Sequence, residues 1–97
     1  MIYRNKKILK AAQDEDCTMH SPMCNGDRAT VVFCHSNMQI HDKGRGLKSH
    51  DIFGFFGCSG CNFWYDDSKA SREDKESYFW RAFSRTLLRL LDRGVIK

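Results

Sequence analysis

Cys58-Ser59-Gly60-Cys61-Asn62-Phe63-Trp64-Tyr65-Asp66 places two cysteines two residues apart at the head of a segment that reads as a helix. Such a pair is either half of a metal knuckle or a redox couple, and redox couples normally sit in a strand-helix unit of a much longer fold. The chain has 97 residues, which is one small domain with room for one core. A core of that size often needs a staple, and the five cysteines offer one. Their odd number, and a start (Met1-Ile2-Tyr3-Arg4-Asn5-Lys6-Lys7) without the apolar segment of a secretory signal, argue against a disulfide scaffold. Zinc is the better reading, because it takes four soft ligands in a tetrahedron, commonly two from each of two short segments.

Upstream, Cys17 and Cys24 form a wider pair, and Cys17-Thr18-Met19-His20 is itself a CxxH. Spacing leaves both Cys24 and His20 open as the second ligand. The turn expected behind a knuckle, Asn25-Gly26, favours Cys24. Cys34 is expected to stand outside the tetrahedron.

Around these pairs the chain divides simply. Residues 1–13 form a short helix or basic arm carrying Lys6, Lys7 and Lys10, ended by Asp14-Glu15-Asp16. Residues 29–35 are β-branched and aromatic and predict a strand; residues 52–56 predict a second one returning to Cys58. Between them lies a polar, glycine-bearing loop, and so long a loop in a small domain is usually functional. Residues 71–93 predict a C-terminal helix, with a capping-box-like start at Ser71 and Gly94 as its stop. Its expected core stripe is Phe79, Phe83, Leu87, Leu90 and Leu91, with Arg81, Arg85, Arg89 and Arg93 on the other face. That arginine stripe either contacts phosphate or is a solvated face paired with nearby acids. Phe53, Phe55, Phe56, Phe63 and Trp64 are expected around the metal as core, and Trp80 as helix packing.

Sixteen Lys and Arg against twelve Asp and Glu leave a net charge of +4, which favours a polyanionic partner. No apolar run is long enough to span a membrane. The expectation is a cytoplasmic domain.

A second constellation accompanies the cysteines. If a helix starts at the CxxC, Asn62 and Asp66 stand at i and i+4, so their oxygens can converge. His35 ends the first strand, and a hairpin with the second would bring it opposite. An imidazole facing two oxygen ligands suits phosphodiester hydrolysis: the imidazole takes a proton from water, and a divalent ion neutralises the phosphate. The bland alternative is a strand-end histidine beside a helix-solubilising Asn and Asp. His41 and His50, in the loop beside Lys43, Arg45 and Lys48, are further candidates for phosphate or metal contact.

Several of these segments together resemble a known family. Cys17, then Cys24-Asn25-Gly26, the strand ending in His35, Gly44-x-Gly46-x-Lys48-x-x-Asp51, Cys58-Ser-x-Cys61 and Gly94-Val95-Ile96-Lys97 occur in the order seen in the small YbcO-type nuclease family of phages and prophages. The resemblance covers roughly residues 8–97. It implies an α+β fold: a single zinc-bound treble-clef, HNH-like ββα-metal domain over residues 1–97 with a long C-terminal helix. It also implies a structural zinc on Cys17, Cys24, Cys58 and Cys61, His35 as general base, and Asn62 and Asp66 on a catalytic metal (Mg²⁺, Mn²⁺ or Zn²⁺). The implied activity is a metal-dependent DNA endonuclease, with Lys43, Arg45, Lys48, Arg81, Arg85 and Arg89 gripping DNA. The sequence departs from the HNH pattern twice: Cys34 stands where an acid or histidine often precedes the base, and Asn62 where a histidine often follows the CxxC. These departures motivate the alternative of a non-catalytic zinc module that binds nucleic acid or a host protein. A homodimer stays open.

Overall fold

A computed structural model describes residues 2–97; Met1 of the N-terminal arm lies outside the described residues. The chain runs through helix α1 (Lys6–Ala11), strand β1 (Val32–His35), strand β2 (Gly54–Gly57), helix α2 (Ser59–Asp66) and helix α3 (Arg72–Asp92). Single 3-10 turns occupy Arg28–Thr30 and Gln39–His41. No helix among the described residues is long and apolar enough to cross a membrane.

The N-terminal residues choose the helix over the extended arm. Asn5 caps α1 by accepting from the Lys7 N–H at 3.0 Å, and Ile8 and Ala11 turn inward. The first strand is shorter than its β-branched run predicts. Asp27 accepts from the Ala29 N–H at 3.0 Å and folds Arg28–Thr30 into a turn, so pairing starts at Val32. β1 and β2 are antiparallel, with Val32 opposite Gly57, Cys34 opposite Phe55 and His35 opposite Gly54. The second strand also starts later than predicted, because the Phe53 N–H bonds back to the His50 carbonyl. Gly54 has to be glycine: a Cβ there would lie 2.4 Å from the Cys34 carbonyl oxygen and 2.5 Å from the Phe33 ring, which lies across it.

Only two strands pair, so β2 has a free edge, and side chains complete it. The Phe56 N–H donates to Thr18 Oγ1 and Thr86 Oγ1, each at 3.2 Å, while the Thr18 N–H donates to the Phe56 carbonyl at 2.8 Å. This explains why α3 is rotated from the predicted stripe. Its fully buried residues are Phe79, Ala82, Thr86 and Leu90; Phe83 and Leu87 are half-buried and Leu91 is exposed. A threonine takes a core position because its hydroxyl meets a buried N–H that a leucine would leave unpaired. The helix ends follow expectation: Ser71 Oγ accepts from the Asp74 N–H at 3.0 Å, and Gly94 adopts φ +69°.

The arginine stripe is largely occupied within the fold. Arg85 donates to the Thr18 carbonyl at 2.8 Å, Arg89 to Glu15 at 2.6 Å, and Arg93 to Glu15 and the Ala11 carbonyl, both at 2.8 Å. Glu15 is buried, so two guanidinium groups balance a carboxylate that would otherwise be costly to bury. These contacts tie α3 to the segment after α1. Arg81 lies against Ser77 and over the Tyr78 ring. Phe55, Phe56 and Trp64 are core as expected, and Phe53 is half-buried, but Phe63 is 49% exposed. Trp80 packs one edge against His41, Phe79 and Phe83.

Candidate metal centre and catalytic cleft

The loop at residues 17–24 lies against the start of α2. Cys58 is the N-cap of α2 and Cys61 sits in its first turn. A Cβ at Gly60 would fall 2.0 Å from the Met23 carbonyl oxygen, so glycine is what lets the two segments meet. The Sγ atoms of Cys17, Cys24, Cys58 and Cys61 all lie within 4.8 Å of one another. The Cys17–Cys61 and Cys24–Cys58 separations are 3.5 and 3.7 Å. A tetrahedron with zinc–sulfur bonds of 2.3 Å has sulfur–sulfur edges of about 3.8 Å, so the donor set and its spacing suit zinc. Cys24 belongs to this group, whereas His20 is exposed and outside it. All five cysteines are free thiols.

The electrostatics agree. The hydrogen bond shared by the Cys17 and Cys61 sulfurs brings the Cys17 pKa down to about 4, against desolvation by burial and with help from nearby backbone N–H groups, and raises that of Cys61. Ser21 adds N–H and hydroxyl contacts to the Cys61 sulfur at 3.4 and 3.1 Å. Cys34 is different. Burial pushes its pKa up to about 12, and it lies in the sheet outside the group.

His35, Asn62, Asp66, Lys43 and Lys48 line one cleft of about 530 Å³. The hairpin and the helix thus bring together the residues that spacing put forward. Asp66 Oδ1 accepts from the Asn37 side-chain amide at 3.0 Å, and its second oxygen has no donor among the described residues. Arg45 does not line the cleft; it sits at the exposed tip of the turn closed by the Gly44–Leu47 bridge.

The loop histidines take other roles. His41 is buried, stacked on Phe53 at a ring separation of 4.0 Å, with Nδ1 2.7 Å from Ser36 Oγ; burial lowers its pKa, with the nearby His50 adding to the effect. His50 Nδ1 accepts from the Tyr3 N–H at 2.8 Å and its Nε2 faces Asp42. Both nitrogens of His50 are therefore engaged, and it fastens the loop to the N-terminal segment.

The residue that sequence reading left without a role is Asp51. Its Oδ1 lies 2.8 Å from His35 Nε2 and 3.2 Å from Arg4 Nη1, and its Oδ2 accepts from the Asn5 N–H at 2.7 Å. Burial raises the Asp51 pKa, but the hydrogen bonds from His35 and Asn5 and the Arg4 charge outweigh it, leaving the carboxyl below its ordinary range. An ionised carboxylate only accepts, so His35 Nε2 donates to it and Nδ1 is the ring nitrogen left for other partners. Arg4 also donates to the Ser49 carbonyl at 2.6 Å and the Lys48 carbonyl at 3.0 Å, so one side chain holds both the carboxylate and the loop that carries Lys48.

A family model described as "Putative nuclease YbcO" matches residues 6–95. The chain belongs to the YbcO family. A solved structure described as that of a "putative bacteriophage protein" from Escherichia coli K-12 resembles this YbcO-family chain with a TM-score of 0.70 and 26% identity, over 90% of this chain and 99% of that one. No curated protein matches. The family's description supports a nuclease role for the YbcO-family chain, and four clustered cysteines give it a site suited to zinc.

Proposed function

We propose that this chain is a metal-dependent DNA endonuclease of the HNH-like type, built as a treble clef around a structural zinc on Cys17, Cys24, Cys58 and Cys61. The observation that carries the reading is the Asp51–His35 pair in one cleft with Asp66, Asn62, Lys43 and Lys48. His35 Nδ1 takes a proton from water as that water attacks phosphorus. Asp51 holds the ring in the required tautomer and stabilises the imidazolium that forms. Lys43 and Lys48 seat the phosphodiester by its charge. The bond to the 3′ oxygen breaks, leaving a 5′ phosphate. Asp66, through its free oxygen, and the Asn62 amide oxygen form a sparse, hard donor set, which fits a divalent ion that fills its other positions with water and phosphate. Such an ion, when bound, neutralises charge on the phosphate and the departing oxygen.

The test is nicking of supercoiled plasmid with Mg²⁺, Mn²⁺, Ni²⁺ or Zn²⁺. His35→Ala, with its circular dichroism unchanged, is expected to lower the rate by about 10²- to 10⁴-fold. Equal nicking by wild type and variant defeats the proposal. Binding is expected to be salt-sensitive, its logarithm falling by about 0.9 per phosphate neutralised on duplex DNA. Lys43→Ala with Lys48→Ala should reduce that slope by about 2; an unchanged slope removes these lysines from the interface.

The second reading, a non-catalytic zinc module, is favoured by Cys34. Cys34 lines the cleft, but burial pushes its thiol pKa up to about 12, so the position before His35 offers a poor ligand for a hard divalent ion. DNA binding without metal-dependent nicking is its signature.

A further inference from the structure

We propose that the depression next to the catalytic cleft is a base-binding subsite, which takes an unpaired base of single-stranded DNA leaving the scissile phosphate. The ligand's identity rests on the nuclease reading above. The depression has a volume of about 630 Å³ and shares Asn37 and Asp66 with the cleft, so the two are separated only by that hydrogen-bonded pair. A strand running through the cleft meets this depression next.

Its chemistry differs from that of the cleft. Asp66 and Glu76 balance Arg72 and Lys75, and Lys75 is already spent on the Ser68 carbonyl at 2.8 Å. There is no excess positive charge to draw in a phosphate, whereas Lys43 and Lys48 give the cleft one. Met38, Ile40 and Ala70 supply apolar surface instead. Ile40 is 81% exposed, the highest value among the exposed large apolar side chains. That exposure is built in. Ile40 stands in the Gln39–His41 turn, whose other end is nailed down by buried His41 stacked on Phe53. The turn presents an apolar knob beside the cleft, where it can cover the face of an unstacked base by apolar contact. Glu76 in the far wall would repel the second phosphate strand of a continuous duplex. A single strand brings a neutral base there instead.

The experiment is fluorescence anisotropy with a short fluorescein-labelled oligodeoxynucleotide, single-stranded or as a blunt duplex of the same sequence, without added divalent ion. The single strand is expected to bind more tightly than the duplex. Ile40→Ser removes no buried contact and should weaken single-strand binding by about five- to tenfold through lost apolar cover, leaving duplex binding unchanged. Arg72→Ala should weaken the single strand as well. Tighter or equal duplex binding, no measurable single-strand binding, or an Ile40→Ser protein that matches wild type on the single strand overturns the subsite. Plasmid nicking separates the two ideas. Nicking without an Ile40 effect keeps the nuclease and removes the subsite. An Ile40 effect without nicking keeps the subsite and removes the nuclease.

Discussion

A Cys61→Ser protein is expected to lose cooperative folding. Cys61 is fully buried, and its sulfur lies 3.5 Å from that of Cys17 within the four-thiol group. A structural zinc site contributes on the order of 10–16 kcal/mol of apparent binding energy, whereas a domain of this size has a total stability of about 5–10 kcal/mol. Serine supplies no soft donor, so the variant loses most of the metal's contribution, and the 17–24 loop loses its tie to α2. Thermal melts followed by circular dichroism, with and without a chelator, measure this: wild type should melt cooperatively and lose that transition on chelation, and the variant should show none. Cys34→Ala is the matching control. Cys34 is equally apolar in its surroundings but outside the group, so its loss should cost about 1 kcal/mol and leave one zinc per chain by elemental analysis. A metal-free Cys61→Ser protein with an intact sharp melt would show that the four thiols do not staple the fold.

How much of this was legible in the sequence depends on how local each determinant is. The CxxC, the helix it starts and the capped α3 are short-range signals, and they stand where spacing put them. His35, Asn62 and Asp66 share a cleft because two local facts, a strand end and an i, i+4 pair, are joined by the hairpin. What stayed hidden has partners far along the chain. The arginine stripe leaves phosphate contact and pairing with acids both open, and only the fold shows that Glu15, 74 residues before Arg89, is the buried acid that takes two of its members. Thr86 reads as a polar interruption of a helix face until the unpaired edge of β2 shows what its hydroxyl serves. Asp51 is one of several acids in the sequence, and only the fold shows that it alone is sealed between His35 and Arg4. Its place in the Gly44-x-Gly46-x-Lys48-x-x-Asp51 motif was the available signal.

Asp51 therefore carries a prediction as strong as the zinc's. Removing it strikes stability and chemistry together. Asp51→Ala leaves the Asn5 N–H without its acceptor, His35 Nε2 without its anchor and Arg4 without its counter-charge. Arg4 is partly exposed and can turn to water, so the expected cost is about 2–3 kcal/mol rather than the larger penalty of a fully buried orphaned charge. Denaturant melts should show that loss in a protein that still folds and still binds zinc. Asp51→Asn separates the two effects. It keeps the shape and can still accept from Asn5, but it cannot stabilise an imidazolium, so nicking should fall by about 10²- to 10³-fold with a smaller loss of stability. Acid titration adds a sign. The Asp51 carboxyl lies below its ordinary value of 3.8 in the folded chain, so its contribution is full above about pH 4 and disappears as the pH falls through the folded value. The cysteines release metal in acid as well, but they do so in both proteins, and the difference in stability between wild type and Asp51→Asn cancels that term. This difference should shrink as the pH falls below about 4, where the Asp51 carboxylate gains its proton. A difference that keeps its full size well below pH 4 would mean that the carboxylate does not anchor the loop by its charge, and an Asp51→Asn protein that nicks at the wild-type rate would mean that it does not serve His35.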